Sequence, residues 1–454
     1  MNLVFVSPES ASIDLTRRAG PRIGFLLHSA DKLGWRLSWS ATQIESGMGD
    51  IPLAPQDIVI SDLPHTEWSS LRNRQAIRTD DFFRISMRGL REEWGLQDES
   101  PTEALRTLDP ALRRVLSILQ QVAVDMGVDD GVRLYGARKA SSFFTDAIVK
   151  TAGYVGVQQE DQKNVSMSLS GAYAAGVSPQ MAAKAPPREV FSFRKPSLTV
   201  LRDLVNAAIP AGDWRAVGHP AGQPIAPDIV TQILDLKLPT LFQVNWRPTP
   251  RVGVDIALMR ATLRYLGWEN MRKEPRDWTT LDEMMMLNKV VDVSVMNAFV
   301  AEEWKSPSFG ASMLDSLRAF APGWCVDIAA HNLVASMTTR NAPPLSPSPL
   351  SVWTTTRDRI AMTPVISSFT NAGFPVVSAY LGGVRIHCPP ARREDAIKLA
   401  WSLGLTPPLS LSMQMSADED APARVHGDEI DGARWGGERD MLAYAALRAN
   451  GDFE

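Results

Sequence analysis

Hydrophobic positions change their period along this chain. The opening reads as strands and turns, because Leu3 to Val6, Ile23 to Leu27 and Asp57 to Ile60 are apolar runs separated by Pro, Gly and Ser. Helical spacing follows. Asp109 and Pro110 read as an N-cap and a first helical residue, and Leu112, Val115, Leu116, Leu119, Val122, Ala123 and Met126 then recur on one face before Gly127. A second helix is predicted over Leu198 to Ile209, with Leu201, Leu204, Val205 and Ala208 inward and Pro210 as its stop. A third is predicted over Val254 to Leu266, with Ile256, Met259, Leu263 and Leu266 on one stripe and Gly267 closing it.

Between these elements, residues 168 to 188 are rich in Ala, Gly, Ser and Pro and read as a connection. Asn341 to Leu350 is too proline-dense for a regular element, and Leu345, Leu350 and Trp353 suit a packed, extended strap. Phe374 to Tyr380 and Val384 to Cys388 flank Leu381-Gly382-Gly383 and read as a hairpin. No internal repeat is present. The fold class expected is α+β, predominantly α-helical with a few short strands and hairpins. Three regions are drawn in one compact unit: a strand and helix region over 1–167, a central helical region over 168–340, and the strap, hairpin and tail over 341–454.

The tail stands apart. An acidic, Gly-rich run from Ala417 to Gly432 leads into Trp435, and a helix is predicted over Met441 to Ala449. Low hydrophobicity and many carboxylates would leave such a run disordered on its own. The expectation is that Trp435 and the helix after it are held by neighbours in an assembly.

Composition narrows the function classes. With 454 residues, 44% of them hydrophobic, the chain can bury a large core. It has no apolar run long enough to span a bilayer and no signal-peptide pattern at Met1 to Ser7, so neither membrane insertion nor secretion by signal peptide is expected. Two cysteines, Cys325 and Cys388, exclude a disulfide framework and suit a reducing compartment. A net charge of −4 argues against a protein whose main affinity is for phosphate backbones. The cations are nonetheless 36 Arg against 11 Lys, and doublets such as Arg113-Arg114 and Arg392-Arg393 offer planar, multi-donor groups suited to interfaces.

Catalytic chemistry finds no motif. The six histidines are scattered, and His387 and Cys388, being adjacent on a predicted strand, would point to opposite faces and make poor joint metal ligands. No phosphate-binding glycine loop and no nucleophile elbow occur. Carboxylate pairs such as Asp80-Asp81, Glu92-Glu93 and Asp129-Asp130 fit helix starts or solvated faces. The first strand looks like the opening strand of nucleotide-sugar transferases, which keeps a transferase-like enzyme as a lesser alternative, but no glycine loop follows it. No cofactor and no enzymatic activity are therefore expected. Thirteen tryptophans are many for such a chain, and Trp35, Trp304, Trp324, Trp353 and Trp435 sit in polar or turn-like surroundings where aromatic anchors for partners are found.

Several short segments also occur in a suggestive order. Leu26-Leu27 leads to Trp35, then Ile44 and Gly47; the amphipathic stretch Met259 to Trp268 follows; Pro322-Gly-Trp-Cys-Val-Asp327 comes next. After these stand Pro344-Leu345 with Pro349-Leu-Ser-Val-Trp353, then Ala400 to Thr406, and last Ala433-Arg434-Trp435-Gly436 with Ala445-Ala446-Leu447. In these six patches the chain resembles the inner-capsid clamp, or nodule, proteins of the turreted double-stranded RNA viruses, the orthoreoviruses and aquareoviruses. The resemblance does not extend to residues 50–250 or 270–320, and the acidic run before Trp435 departs from it.

The resemblance implies a structural protein of irregular clamp architecture that sits outside a thin icosahedral shell and bridges shell subunits. It would reside in the virion, and in host cytoplasm during assembly. Its partners would be the inner-capsid shell protein, and outer-capsid or turret proteins beside it. Trp35, Trp324, Trp353, Trp435, Ala445 and Leu447 become the candidate assembly contacts. Some members of the family bind double-stranded RNA, which makes an RNA-binding accessory role, using Arg113, Arg114, Arg392 and Arg393, the alternative.

Overall fold

The structure is a computed structural model that describes residues 101–127, 159–173, 190–218, 223–245, 249–268, 277–307, 309–320, 323–338 and 347–406, residues 90, 144 and 148, and seven N-terminal strands. Those strands are β1 Leu3–Pro8, β2 Arg22–Leu27, β3 Trp35–Leu37, β4 Gln43–Ser46, β5 Gly49–Pro52, β6 Ile58–Ser61 and β7 Ala76–Arg78. Nine more are β8 Val190–Arg194, β9 Ile209–Gly218, β10 Thr240–Val244, β11 Thr249–Pro250, β12 Trp278–Thr280, β13 Val291–Asp292, β14 Val295–Lys305, β15 Val376–Tyr380 and β16 Gly383–His387. The helices are α1 Pro101–Asp125, α2 Gln159–Ala172, α3 Ser197–Val205, α4 Pro227–Asp235, α5 Ile256–Tyr265, α6 Leu281–Leu287, α7 Phe309–Arg318, α8 Trp324–Met337, α9 Pro349–Asn371 and α10 Arg393–Ser402. The class is α+β and mainly helical, as the periodicity predicts.

The chain divides into two units, each discontinuous in sequence. The first comprises residues 1–144, 312–333 and 408–454. Its sheet has the order β5-β4-β3-β2-β1-β6-β7, an antiparallel meander on one side of β1 and two parallel strands on the other. Helix α1 packs on β1 and β2 and buries Leu112, Val115, Leu116, Leu119, Val122 and Ala123, the stripe read from the sequence. Its start differs from the expectation: the helix begins at Pro101 and runs through Pro110. An interior proline costs one backbone hydrogen bond, and the long apolar face after it offsets that cost. At the other end Gly127, at φ 65°, caps the helix, and its N–H donates to the Val124 carbonyl at 2.9 Å.

The second unit comprises residues 145–311 and 334–407. Its centre is the antiparallel sheet β12-β10-β14-β9. One face, through Phe242, Val244 and Ala298, packs with Ile233 of α4, Met259 and Leu263 of α5, and Leu281 and Met284 of α6. On the other face Trp278 stacks on Phe299, with ring centroids 5.6 Å apart. Helix α2 lies against β10 and β12, and a Cβ at Gly171 would come within 2.7 Å of the Trp278 ring, so glycine is what allows that approach. Residues 168–172, expected in a connection, are therefore the last turn of α2. The remainder of that predicted connection, 174–188, lies outside the described residues.

A second, three-stranded sheet has the order β15-β16-β8. Its hairpin turns through Leu381 at φ 49° and Gly382 at φ 72°, the two positive values of a type I′ turn, where the sequence predicts it. Other boundaries move. Helix α3 stops at Val205, and Ile209 and Pro210 open β9 instead. Proline is tolerated there because β9 is the last strand of its sheet. Helix α5 buries Met259 and Leu263 but leaves Ile256 52% exposed, so the predicted stripe is one turn too long.

The largest correction concerns the strap. Pro349, Leu350 and Trp353 form the first turns of α9, whose N-cap is Ser348; the Ser351 N–H donates to the Ser348 hydroxyl at 3.2 Å. Ser-Pro at this point is a helix start, with proline at the position that needs no donor. Residues 341–346 lie outside the described residues. Helix α9 is buried on nearly every side, including Ser351, Thr354, Thr355 and Thr356. Some of its hydroxyls bond back to the helix: the buried Thr355 Oγ1 donates to the Ser351 carbonyl at 2.9 Å, and the half-buried Thr363 Oγ1 to that of Arg359 at 3.0 Å.

Candidate functional site

The sequence-derived contacts fall in different places. Trp35 opens β3, with Ser46 opposite it across the ladder. Trp324 begins α8 and Trp353 lies in α9, at 2% and 0% exposure. Both are core residues, so neither offers the exposed ring that an anchor for a partner requires. Around Trp353 stand Trp214, at 6.3 Å between ring centroids, and Trp304, edge-on at 6.2 Å. The Trp304 indole N–H donates to the Lys237 carbonyl at 2.6 Å, and the Arg357 guanidinium lies 5.7 Å from its ring centroid. Trp435, Ala445 and Leu447 lie outside the described residues.

The arginine doublets are also resolved unequally. Arg114 is exposed on α1, and the side chain of Arg113 lies outside the described residues. Arg392 caps α9: Nη2 donates to the Ala372 carbonyl at 2.9 Å and Nη1 to that of Gly373 at 3.4 Å, while the guanidinium stacks 4.2 Å over Phe374. Arg393 lies 4.8 Å over the Phe191 ring. Both guanidinium groups of the second doublet thus have work inside the fold.

What sequence reading missed is a polar centre beneath α9. Thr280 caps α6 by accepting the Glu283 N–H at 3.4 Å, and Thr280-x-x-Glu283 is the spacing of a capping box. The Glu283 side chain turns inward, where it accepts from Thr279 Oγ1 at 2.9 Å, from the Trp268 indole N–H at 3.1 Å and from Arg359 Nη2 at 3.4 Å. Arg359 also donates to Thr356 Oγ1 at 3.1 Å. Glu283 is 0% and Arg359 1% exposed. A buried pair so enclosed has no face for a substrate; it ties α9 to α6 and β12. At the rim, Arg357 Nε meets Asp282 Oδ2 at 2.9 Å. The capping-box spacing was the one available signal.

Asp358, between Arg357 and Arg359, holds the hairpin. Its two carboxylate oxygens accept the backbone N–H groups of Leu381 and Gly382, each at 2.6 Å, so one side chain fixes both residues of the type I′ turn. Burial pushes its pKa above the ordinary carboxylate value, against the opposing pull of those two hydrogen bonds and of the Arg359 and Lys195 charges. Of the cysteines, Cys388 is buried and the Cys325 thiol is 3.5 Å from the Ala111 carbonyl. Among the described residues no cluster of His, Cys, Asp or Glu has a metal-binding arrangement, and no helix is long and apolar enough to cross a membrane.

No protein-family model and no curated protein matches the chain. Among solved structures it is similar to Phi29 DNA polymerase complexed with single-stranded DNA, at 10% identity and a TM-score of 0.38, with 70% of this chain and 62% of that chain covered. It is likewise similar to the post-translocation binary complex of Phi29 DNA polymerase with primer-template DNA, at 9% identity and a TM-score of 0.38, with 68% and 60% covered. The chain thus spans less than two thirds of the polymerase chains it matches. Likeness at this level carries no argument about fold or activity.

Proposed function

We propose that the protein is a structural component of an icosahedral double-stranded RNA virus, clamping the inner-capsid shell from outside by bridging neighbouring shell subunits. The observation that carries this reading is the order of the six sequence patches, from Leu26 to Leu447, in which the chain resembles inner-capsid clamp proteins. Two of those patches coincide with element starts: Trp324 to Asp327 is the first turn of α8, and Pro349 to Trp353 opens α9. They support a shared framework rather than a shared contact surface.

A clamp also needs apolar surface to bury against its partner. Ile229, Leu236, Val252, Ile256, Leu258 and Met285 are exposed large hydrophobic residues on or beside α4, α5 and α6, with Val252 at 96%. Exposed apolar side chains in one helical layer suit contact with the shell protein. Co-expression with the inner-shell protein encoded alongside this chain tests the reading. Particles that carry the chain on their outer face are expected; shells that assemble and never bind it contradict the proposal.

A further inference from the structure

Strand β9 is the last described strand of its sheet, and of its backbone groups the Asp213 N–H already donates to the Glu302 carboxylate at 3.4 Å. Its inner side pairs with β14 from Ile209 to Gly218, and no described strand lies on its outer side. Arg215, Ala216 and Gly218 are exposed and Val217 is half-buried. Such an edge presents alternating N–H and C=O groups that can accept another strand. A bulge interrupts its pairing with β14. Trp214 faces Ala301 and Ala211 faces Glu303, so Gly212 and Asp213 together oppose Glu302, a bulge with Gly212 at φ 80°. Beyond the bulge, Trp214 to Gly218 keeps an unshifted register with β14.

We infer that this edge pairs with the same edge of a second copy of the chain. The argument is charge complementarity under a two-fold axis. Antiparallel pairing centred on Trp214 places Asp213 opposite Arg215 of the partner subunit and Arg215 opposite Asp213 of the partner subunit, so one symmetry operation forms two ion pairs. Within the chain, neither side chain has an ion-pair partner among the described residues. In this register Gly212 faces Ala216 of the partner subunit, which keeps bulk away from the bulge. Centring the axis on Arg215 would set two guanidinium groups against each other, and centring it on Ala216 would leave both charges unpaired. Charge therefore selects the Trp214-centred register, and the dimer joins two four-stranded sheets edge to edge.

Light scattering of the purified full-length chain across a dilution series tests this without any capsid component, so its outcome is independent of the clamp reading. The expected species at high concentration has twice the 49.9 kDa chain mass. Arg215→Asp alone and Asp213→Arg alone should each raise the dimer dissociation constant at least about tenfold, and the two together should restore most of the loss. Circular dichroism confirms that each variant folds. If a reversal unfolds the chain, Arg215→Gln and Asp213→Asn give the same comparison with smaller shifts. A chain that stays monomeric at every concentration overturns the inference, as does a dimer that neither single change weakens, or a double variant no better than the singles.

Discussion

Replacing Glu283 by Gln keeps the shape of the side chain and removes its charge, which takes from the Arg359 guanidinium, 1% exposed, the carboxylate of its buried ion pair. Breaking one half of a buried pair costs about 3–5 kcal/mol, because the surviving charge has lost both water and partner. Arg359→Met should cost a similar amount, since Glu283 then keeps only Thr279 and the Trp268 indole as donors among the contacts described above. The double variant Glu283→Gln/Arg359→Met removes both charges of the pair together. It should lose far less than the sum of the singles, with a coupling of about 3 kcal/mol or more. Urea unfolding followed by circular dichroism reads these differences, and the singles should melt roughly 10 °C below the parent for a unit of this size. Single variants that lose under about 1 kcal/mol, or a double that is simply additive, would refute the assignment of this pair as the tie between α9 and α6.

Further outcomes follow from neighbouring contacts. Asp358→Ala leaves two buried N–H groups unpaired and should cost at least about 2 kcal/mol, measured by the same unfolding assay. The pH dependence has a definite sign: folded Asp358 holds its proton above the ordinary value of 3.8. Its contribution is thus full below that value and is lost as pH rises through the raised one. Parent stability should fall over that interval relative to Asp358→Asn, and parallel curves would contradict it. Gly382→Ala puts a Cβ 2.7 Å from Val200 Cγ2 at φ 72° and should destabilise by about 1–3 kcal/mol, with no loss in thermal melts counting against it. Trp353→Ala should cost about 3–5 kcal/mol of stability as a core deletion. Trp435→Ala, by contrast, should weaken attachment to shells while leaving the melting temperature unchanged.

Local rules were legible where one signal dominated. The apolar stripe of α1 and the turn at Leu381-Gly382 were readable because a 3.6-residue period and a glycine after the strand each point to one structure. Proline misled three times, since the same residue opens α9 at Pro349, lies inside α1 at Pro110 and begins an edge strand at Pro210. Which role it takes depends on whether its missing N–H faces a needed acceptor, and that is a property of the tertiary fold. The tryptophans show the same limit. Trp324 and Trp353 follow polar or proline-rich sequence, yet helices α8 and α9 carry them into the interior. The Glu283–Arg359 pair was invisible because its partners are 76 residues apart.

The clamp assignment rests most directly on attachment to a shell. Electron microscopy of shells assembled with and without the full-length chain should show added density at repeated positions on the outer surface, lost when the chain is omitted. Shells that form normally in its presence and remain bare would contradict the assignment.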